Sequence, residues 1–278
     1  KLARALVCGN TCVLKPAERT SLAALRLAEI LEEVELPPGV VNIVTGNGRA
    51  GTALVNHPGV QKIAFTGSTE VGKKIARAVA ERGLKGRPPR LTLELGGKSP
   101  NIIFEDASID QAVEGIISAI YFNQGHVCCA GSRLFVQESV LDEVTAKLRI
   151  RLASLRVGDP LDKNTDVGAI NSKAQLETIA RYIKAGQKEG ARLHEVNGHA
   201  LPNKGYWCRP CFFTGVQPSH IVAREEIFGP VLAIMPYKDA DDAVRIANDH
   251  PFGLAAYVSG SDQAAATRIA RRLRAGMV

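Results

Sequence analysis

The sequence predicts an α/β fold built on parallel strands, and three observations support this prediction. Short apolar runs alternate with longer amphipathic segments along the chain, as in repeated strand–helix units. Glycine-containing turns separate several runs from the segments that follow them. The composition is that of an ordinary globular protein, with 45% hydrophobic and 23% charged residues. It excludes the disordered, collagen-like and disulfide-scaffold classes.

The first third of the chain supplies four short apolar strands and the helices between them. One predicted helix begins at Thr20–Ser21 and closes before Pro37-Pro38-Gly39. Hydroxyl side chains at a helix start and Pro or Gly after its end are typical helix boundaries. A second helix is predicted at about 70–81. The predicted strands lie at 11–14, 40–44, 62–65 and 91–95.

The remainder of the chain repeats the alternation with longer helices. Strands are predicted at 101–104, 133–137, 231–236 and 255–258, and helices at 109–120, 140–155, 174–189, 241–248 and 262–274. The length of 278 residues allows one large domain or two ordinary ones. The Gly96–Gly97 pair ends the last strand of the first part. We therefore place a domain boundary there, giving domains at 1–96 and 97–278.

Charge and hydropathy limit the classes of partner. With 35 Lys and Arg against 28 Asp and Glu, the net charge is +7. The basic residues crowd only at 73–74, 82–90 and 268–274, without the interleaved aromatic side chains of a single-strand platform, so no nucleic acid partner is expected. No apolar run approaches the ~18 to 20 residues of a membrane span, so no membrane partner is expected either.

Six scattered cysteines favour a reducing compartment, hence a cytoplasmic location. Cys208 and Cys211 have the C-x-x-C spacing of a redox or zinc half-site. Because no second Cys/His pair lies at ligand spacing, a structural role is favoured and no metal site is predicted.

Two glycine turns are candidates for binding phosphate groups. The segment 46–51 fits G-x-G-x-x-G after a strand, but the acidic residue expected about 20 positions later is missing. The second turn, at Gly67-Ser68, leads from a strand into a helix, and Ser68 adds a hydroxyl donor. Its alternative interpretation is an ordinary capped helix, because Ser is a preferred N-cap.

Glu94 and Cys128 are the candidates for catalysis. Glu94 ends an apolar strand, and apolar surroundings disfavour the charged form of a carboxylate, which suits a general base. The alternative is a strand that alternates its faces and points Glu94 to solvent. Cys128 lies among small and polar residues, which favours an accessible thiol over a buried inert one. His126 or Arg133 is expected to favour its thiolate.

Taken together, these segments resemble the NAD(P)-dependent aldehyde dehydrogenase superfamily over nearly the whole chain. Six motifs carry the resemblance in the family's order. They are Val13-Leu14-Lys15-Pro16-Ala17-Glu18, Pro37-Pro38-Gly39-Val40-Val41-Asn42, Phe65-Thr66-Gly67-Ser68, Leu93-Glu94-Leu95-Gly96-Gly97-Lys98, Phe122-Asn123-Gln124-Gly125 through Cys128, and Glu225-Glu226-Ile227-Phe228-Gly229-Pro230.

The resemblance implies a Rossmann-like, partial NAD-binding domain at 1–96 and an α/β catalytic domain of the aldehyde dehydrogenase type at 97–278. It implies oxidation of an aldehyde to a carboxylic acid with NAD. Cys128 would be the nucleophile, forming a thiohemiacetal and then a thioester, and Glu94 would activate the water that hydrolyses the thioester. The backbone N–H of Cys128 would donate to the oxyanion.

The resemblance also implies the cofactor-binding residues. Lys15 and Glu18 match the adenosine ribose positions, and the Glu18 carboxylate would repel a 2′-phosphate, which favours NAD over NADP. Glu226 and Phe228 match the residues at the nicotinamide ribose. The Gly67-Ser68 turn matches the pyrophosphate site better than the turn at 46–51 does. The further implied cofactor contacts are Gly51, Val71 and Leu95.

Departures from the family leave an alternative open. Family members carry a Trp-Asn pair ahead of the position of Lys1 and further chain after that of Val278, so we expect a central fragment lacking both ends. His126 also replaces a common Gln. The alternative is a truncated or non-catalytic module that only binds nucleotide or a partner chain. For a full-length protein, the resemblance implies a homodimer or homotetramer acting on a small aldehyde; it does not identify the aldehyde.

Overall fold

The computed structural model describes residues 1–84, 86–195 and 200–278, and it divides them into two compact units, Lys1–Leu95 and Gly96–Val278. Both units alternate strands with helices, so the predicted α/β class is confirmed. Lys85, inside the basic run predicted at 82–90, lies outside the described residues. Among the helices that are described, none combines the length and the apolar character that crossing a membrane requires.

The first unit contains two pairs of parallel strands. β1 pairs with β2, and β3 pairs with β4. Because the strands of each pair are parallel, the turns that follow them lie at the same edge. The elements are α1 (Leu2–Val7), β1 (Cys12–Leu14), α2 (Ser21–Glu33), β2 (Val41–Ile43), α3 (Gly48–Asn56), β3 (Lys62–Thr66), α4 (Thr69–Gly83) and β4 (Arg90–Glu94).

The second unit is a six-stranded sheet with helices on both faces. The strand order is β10-β5-β6-β9-β8-β7, and each pair is parallel except β7 with β8. The elements are β5 (Pro100–Ile103), α5 (Ile109–Tyr121), β6 (Arg133–Gln137), α6 (Leu141–Ala153), α7 (Lys173–Lys188), β7 (Arg192–Glu195), β8 (Cys211–Thr214), α8 (Ile221–Arg224), β9 (Val231–Tyr237), α9 (Ala240–Asn248), β10 (Tyr257–Ser259) and α10 (Gln263–Ala270).

The central strand β6 divides the hydrophobic core of the second unit into two layers. Its side chains alternate between the faces of the sheet. Phe135 packs into the layer that contains residues of α7 and α9. Leu134 and Val136 pack into the layer that contains residues of α5 and α6. A strand with both faces buried has a continuous apolar run in its sequence. The sequence therefore predicts β6 with its observed ends.

Sequence periodicity missed some elements and displaced others. β7 carries one aliphatic residue, Leu193, among Arg, His and Glu, and it lies at the sheet edge, so it lacks the apolar signal of a central strand. α1 was not predicted. The last helix, predicted at 262–274, ends at Ala270, and the strand predicted at 255–258 is observed at Tyr257–Ser259.

Candidate functional site

In the first unit, the Gly67-Ser68 turn joins β3 to the N-terminus of α4. Ser68 caps the helix, because its Oγ accepts a hydrogen bond from the backbone N–H of Val71 at 3.3 Å. The backbone N–H of Gly67 donates to the carbonyl oxygen of Glu94 at 3.1 Å, which ties the turn to the end of β4. A capped 15-residue helix at a strand edge has the geometry that attracts a phosphate. The structure thus contains the capped helix, and the cofactor contact remains a prediction.

Val71 and Leu95 lie beside this turn. Val71, in the first turn of α4, is exposed. Leu95 packs on α4 at Gly72, where an added Cβ would overlap the Leu95 side chain. Helix α4 packs closely on the chain that follows β4, and this contact requires a glycine at position 72. The contact also fixes the position of α4 at this edge of the strand pair.

The predicted Lys15 and the turn at 46–51 meet at the edge of the other strand pair. Lys15 Nζ donates to the carbonyl oxygens of Pro16 at 2.7 Å and of Gly46 at 3.1 Å. A Cβ added at Gly51 would lie 3.7 Å from Lys15 Cε. Lys15 therefore stabilises the glycine turn through its hydrogen bond to Gly46. The Glu18 carboxylate, which begins a short 3₁₀ turn, is exposed.

Glu94 is the last residue of β4, and its side chain is exposed. The strand alternates between exposed and half-buried positions. The structure therefore has the alternating strand that points Glu94 to solvent, and not the apolar surroundings that were the other interpretation of the sequence. Its role as a base remains a prediction.

In the second unit, Cys128 follows a stretch of left-handed backbone. Asn123, Gln124 and Gly125 have φ values of 50°, 48° and 75°. This conformation is unfavourable for residues with a Cβ, and such residues cluster at functional sites. At Gly125 an added Cβ would overlap the carbonyl of Gly229. The chain at 225–230 is therefore packed directly against the segment that leads to Cys128.

The surroundings of Cys128 differ from the prediction. Burial raises the pKa of the half-buried thiol, and the neighbouring Cys129 adds to the effect, while hydrogen bonds from the backbone N–H groups of Cys129 and Cys128 act in the opposite direction. The expectation that His126 or Arg133 favours the thiolate is wrong. Burial lowers the pKa of His126, which leaves it neutral. Arg133 is buried and donates to the carbonyl oxygens of Lys98 at 2.7 Å and Ala247 at 3.0 Å.

Glu226 lies against the Gly96–Gly97 pair. The backbone N–H of Gly97 donates to its Oε1 at 3.1 Å, and a Cβ at Gly96 would overlap the carboxylate. Burial raises the pKa of Glu226, while the Gly97 N–H and the charge of Lys98 lower it. A Cβ at Gly97 would lie 2.4 Å from the carbonyl oxygen of Cys128. The glycine pair therefore lies between the backbone of Cys128 and the carboxylate of Glu226.

Phe228 forms a ring stack with His126, with centroids 5.2 Å apart and an interplanar angle of 29°. Phe228 itself has a left-handed φ of 55°. Its carbonyl oxygen and that of Ile227 accept hydrogen bonds from Gln175 Nε2 at 3.0 and 2.9 Å. Gln175 therefore holds this strained segment in place from α7.

Sequence reasoning missed Gln175, Lys98 and Tyr257 near these residues. Lys98 is 2% exposed, its Nζ has no hydrogen-bond partner, and burial lowers its pKa to about 7. The only signal in the sequence was the position of Lys98 directly after Gly96–Gly97. Gln175 and Tyr257 carried no signal, because they lie 47 and 129 positions after Cys128 in the sequence.

Cys208 and Cys211 are both buried. Burial raises the pKa of Cys208 to about 12 and raises that of Cys211 well above its usual value. Thiols held in their protonated form suit a structural role better than metal ligation. Within 1–84, 86–195 and 200–278, no cluster of three or more His, Cys, Asp or Glu side chains is arranged to hold a metal ion.

Comparison with known proteins shows the family to which the chain belongs. The family model described as the aldehyde dehydrogenase family matches residues 1–278. An aldehyde dehydrogenase of Enchytraeus buchholzi is 48% identical over 279 residues, which cover 100% of this chain and 55% of that protein. Retinal dehydrogenase 2 of Homo sapiens is 46% identical over 279 residues, covering 100% of this chain and 53% of that protein. The chain spans about half the length of the curated relatives it matches.

Solved structures agree with the sequence comparison. A mutant aldehyde dehydrogenase from Bacillus cereus matches with a TM-score of 0.95 and 41% identity, covering 100% of this chain and 56% of that one. An NAD+ complex of aldehyde dehydrogenase from the same species matches with a TM-score of 0.91 and 41% identity, covering 96% and 54%. These likenesses confirm the resemblance and the fold type predicted from the motifs.

Proposed function

The chain belongs to the aldehyde dehydrogenase family, and we propose that it carries out the oxidation of an aldehyde to a carboxylic acid with NAD. The observation that supports the proposal most strongly is the position of Cys128. It lies at the family's nucleophile motif, in a segment fixed by left-handed backbone and by contact with the chain at 225–230. Its own backbone N–H favours the thiolate.

The proposed chemistry begins at the Cys128 sulfur. The thiolate attacks the aldehyde carbonyl and forms a thiohemiacetal, and the Cys128 backbone N–H donates to the oxygen that becomes negative. Bound NAD supplies a hydride acceptor, so that the thiohemiacetal becomes a thioester. Glu94 then takes a proton from water, the hydroxide attacks the thioester carbonyl, and the C–S bond breaks to release the acid.

The residues of the first unit suit the adenosine half of NAD. The Lys15 ammonium uses two donors on carbonyl oxygens, which leaves one for a ribose hydroxyl. The exposed Glu18 carboxylate is an acceptor for ribose hydroxyls and would repel a 2′-phosphate. The N-terminus of α4 behind Gly67-Ser68 offers backbone N–H groups to a diphosphate. Gly51, Val71 and Leu95 complete the proposed cofactor contacts of this unit.

The second unit carries the proposed nucleophile and the residues assigned to the nicotinamide ribose, Glu226 and Phe228. The proposal therefore includes the predicted division into a partial NAD-binding domain at 1–96 and a catalytic domain at 97–278. We further propose a small aldehyde as substrate, a homodimer or homotetramer for the full-length protein, and a cytoplasmic location. The six cysteines, all free in the structure, support a reducing compartment.

The proposal is tested with the full-length protein, NAD and a simple aliphatic aldehyde, following the absorbance of NADH. We expect Cys128→Ala to abolish NADH formation, because no other group forms the thiohemiacetal. We expect Glu94→Gln to give a single burst of NADH and then stall as a thioester. Unchanged turnover in Cys128→Ala would refute the nucleophile, and normal steady-state hydrolysis in Glu94→Gln would refute the base. Nucleotide binding without turnover in the unmutated protein would favour a non-catalytic module.

A further inference from the structure

The residue after the nucleophile is held in place from a distant part of the chain. Tyr257, the first residue of β10, donates a hydrogen bond from its hydroxyl to the carbonyl oxygen of Cys129 at 2.8 Å. The two residues are 128 positions apart. Parallel pairing of β10 with β5 brings them together, because Tyr257 lies opposite Asn101 in the register.

Cys129 is important because its backbone N–H interacts with the sulfur of Cys128. A hydrogen bond from the Cys129 backbone N–H favours the Cys128 thiolate and opposes the effect of burial on that thiol. A hydrogen bond to a thiolate depends on direction, so it requires a fixed backbone at Cys129. On one side of Cys129, the carbonyl of Cys128 is packed against Gly97. On the other side, the Cys129 carbonyl is held by the Tyr257 hydroxyl.

We propose that Tyr257 is a positioning residue that fixes the backbone of Cys129 so that its N–H stays directed at the Cys128 sulfur. The inference rests on the proposed role of Cys128 as nucleophile. The Tyr257 hydroxyl does not touch the substrate in this role, and it acts only through Cys129.

The tyrosine stays a donor under the conditions in which the thiol ionises. Burial raises the pKa of Tyr257 to about 12, and a hydrogen bond with the Cys129 side chain adds to the effect. Charge repulsion between a phenolate and the Cys129 and Cys128 thiolates raises it further. The hydroxyl therefore keeps its proton while Cys128 loses its own. Loss of this hydroxyl should weaken the N–H···S⁻ interaction and make Cys128 harder to ionise.

The experiment measures the alkylation of Cys128 by iodoacetamide as a function of pH, with the modified cysteine located by tandem mass spectrometry. For Tyr257→Phe, we expect the midpoint of the rate–pH curve to rise by about half a pH unit, which slows alkylation about 3-fold at pH 8. A role limited to folding would not move this midpoint.

Tyr237→Phe is the matched control. The Tyr237 hydroxyl also donates to a backbone carbonyl, that of Ile103 at 2.9 Å, but it is fully buried, and the ionisable groups that act on it are Asp106 and Glu105. Because Tyr257 is only half-buried and loses nothing but a hydroxyl, its variant should be at least as stable as this control; thermal unfolding of both checks this.

A midpoint that stays at the wild-type value in Tyr257→Phe, or that moves equally in Tyr237→Phe, would overturn the proposal. The assay uses neither NAD nor aldehyde, so failure of aldehyde oxidation would count against the proposed function alone.

Discussion

Replacing Gly97 by alanine tests whether the glycine pair determines the position of Cys128, the proposed nucleophile. The added Cβ would lie 2.4 Å from the carbonyl oxygen of Cys128 and 3.3 Å from Leu254 Cβ. Carbon and carbonyl oxygen atoms in contact lie about 3.3 Å or more apart, so the backbone at Cys128 must move by about 0.9 Å. Overpacking of this kind costs about 1–3 kcal/mol, and we expect the upper half of that range because the obstructing atom is backbone.

The same displacement should lower activity as well as stability. A misplacement of about 1 Å at reacting atoms can cost about 100-fold in rate. The assay is therefore twofold: urea unfolding followed by the fluorescence of Trp207, the one tryptophan of the chain, and turnover of the full-length protein. Gly115→Ala is the control, because an added Cβ in α5 meets nothing within 4 Å and alanine favours a helix by up to about 1 kcal/mol.

The reasoning about Gly97 would be refuted by one combination of results. Gly97→Ala would have to unfold within about 0.5 kcal/mol of the wild type, as expected of a substitution without steric consequence, and also turn over normally. If Gly115→Ala were destabilised as much as Gly97→Ala, the contact with the Cys128 carbonyl would not explain the destabilisation of Gly97→Ala.

Two further predictions concern Lys98 and Ser68. The pKa of Lys98 in the folded protein is about 7, below its ordinary value of 10.5. Between these two pH values the unfolded chain binds more protons than the folded protein does. Lys98 therefore destabilises the fold progressively as the pH falls from 10.5 to 7. Lys98→Met should therefore be more stable than the wild type at pH 7 in urea unfolding, with an advantage that shrinks by about 1 kcal/mol per pH unit toward pH 10. A constant difference would contradict the lowered pKa of Lys98. Ser68→Ala should weaken NAD binding about 10-fold in calorimetry, because it removes the α4 cap and the proposed phosphate donor. Asp239→Ala, which removes the cap of α9, should leave the affinity unchanged, and equal weakening in both would argue against the phosphate contact.

Local patterns predicted much of the fold because they report on short-range geometry. β6 was predicted with its observed ends, since a strand buried on both faces is continuously apolar. α5 was predicted from 109 to 120 and extends one residue further, to Tyr121. β7 was missed because an edge strand with polar side chains has no such pattern.

The surroundings of Cys128 were beyond the reach of local patterns. Arg133 is only five positions away, yet strand β6 turns its side chain into the interior, where carbonyl oxygens of Lys98 and α9 take its donors. Adjacency in sequence therefore gave a wrong interpretation. The contact between Gly97 and Glu226 joins residues 129 positions apart, and no spacing in the sequence indicates it.

The sequence by itself determined most of the strands and helices, the capped turn at Ser68 and the identity of Cys128 as the candidate nucleophile. These features depend on periodicity, capping and motifs within a few residues of each other. The tertiary structure decided which groups set the properties of that thiol. Sheet pairing brings Tyr257 to Cys129, and backbone packing at Gly97 leaves room for the Cys128 carbonyl. Such contacts arise from strand order and register, which the local sequence does not encode.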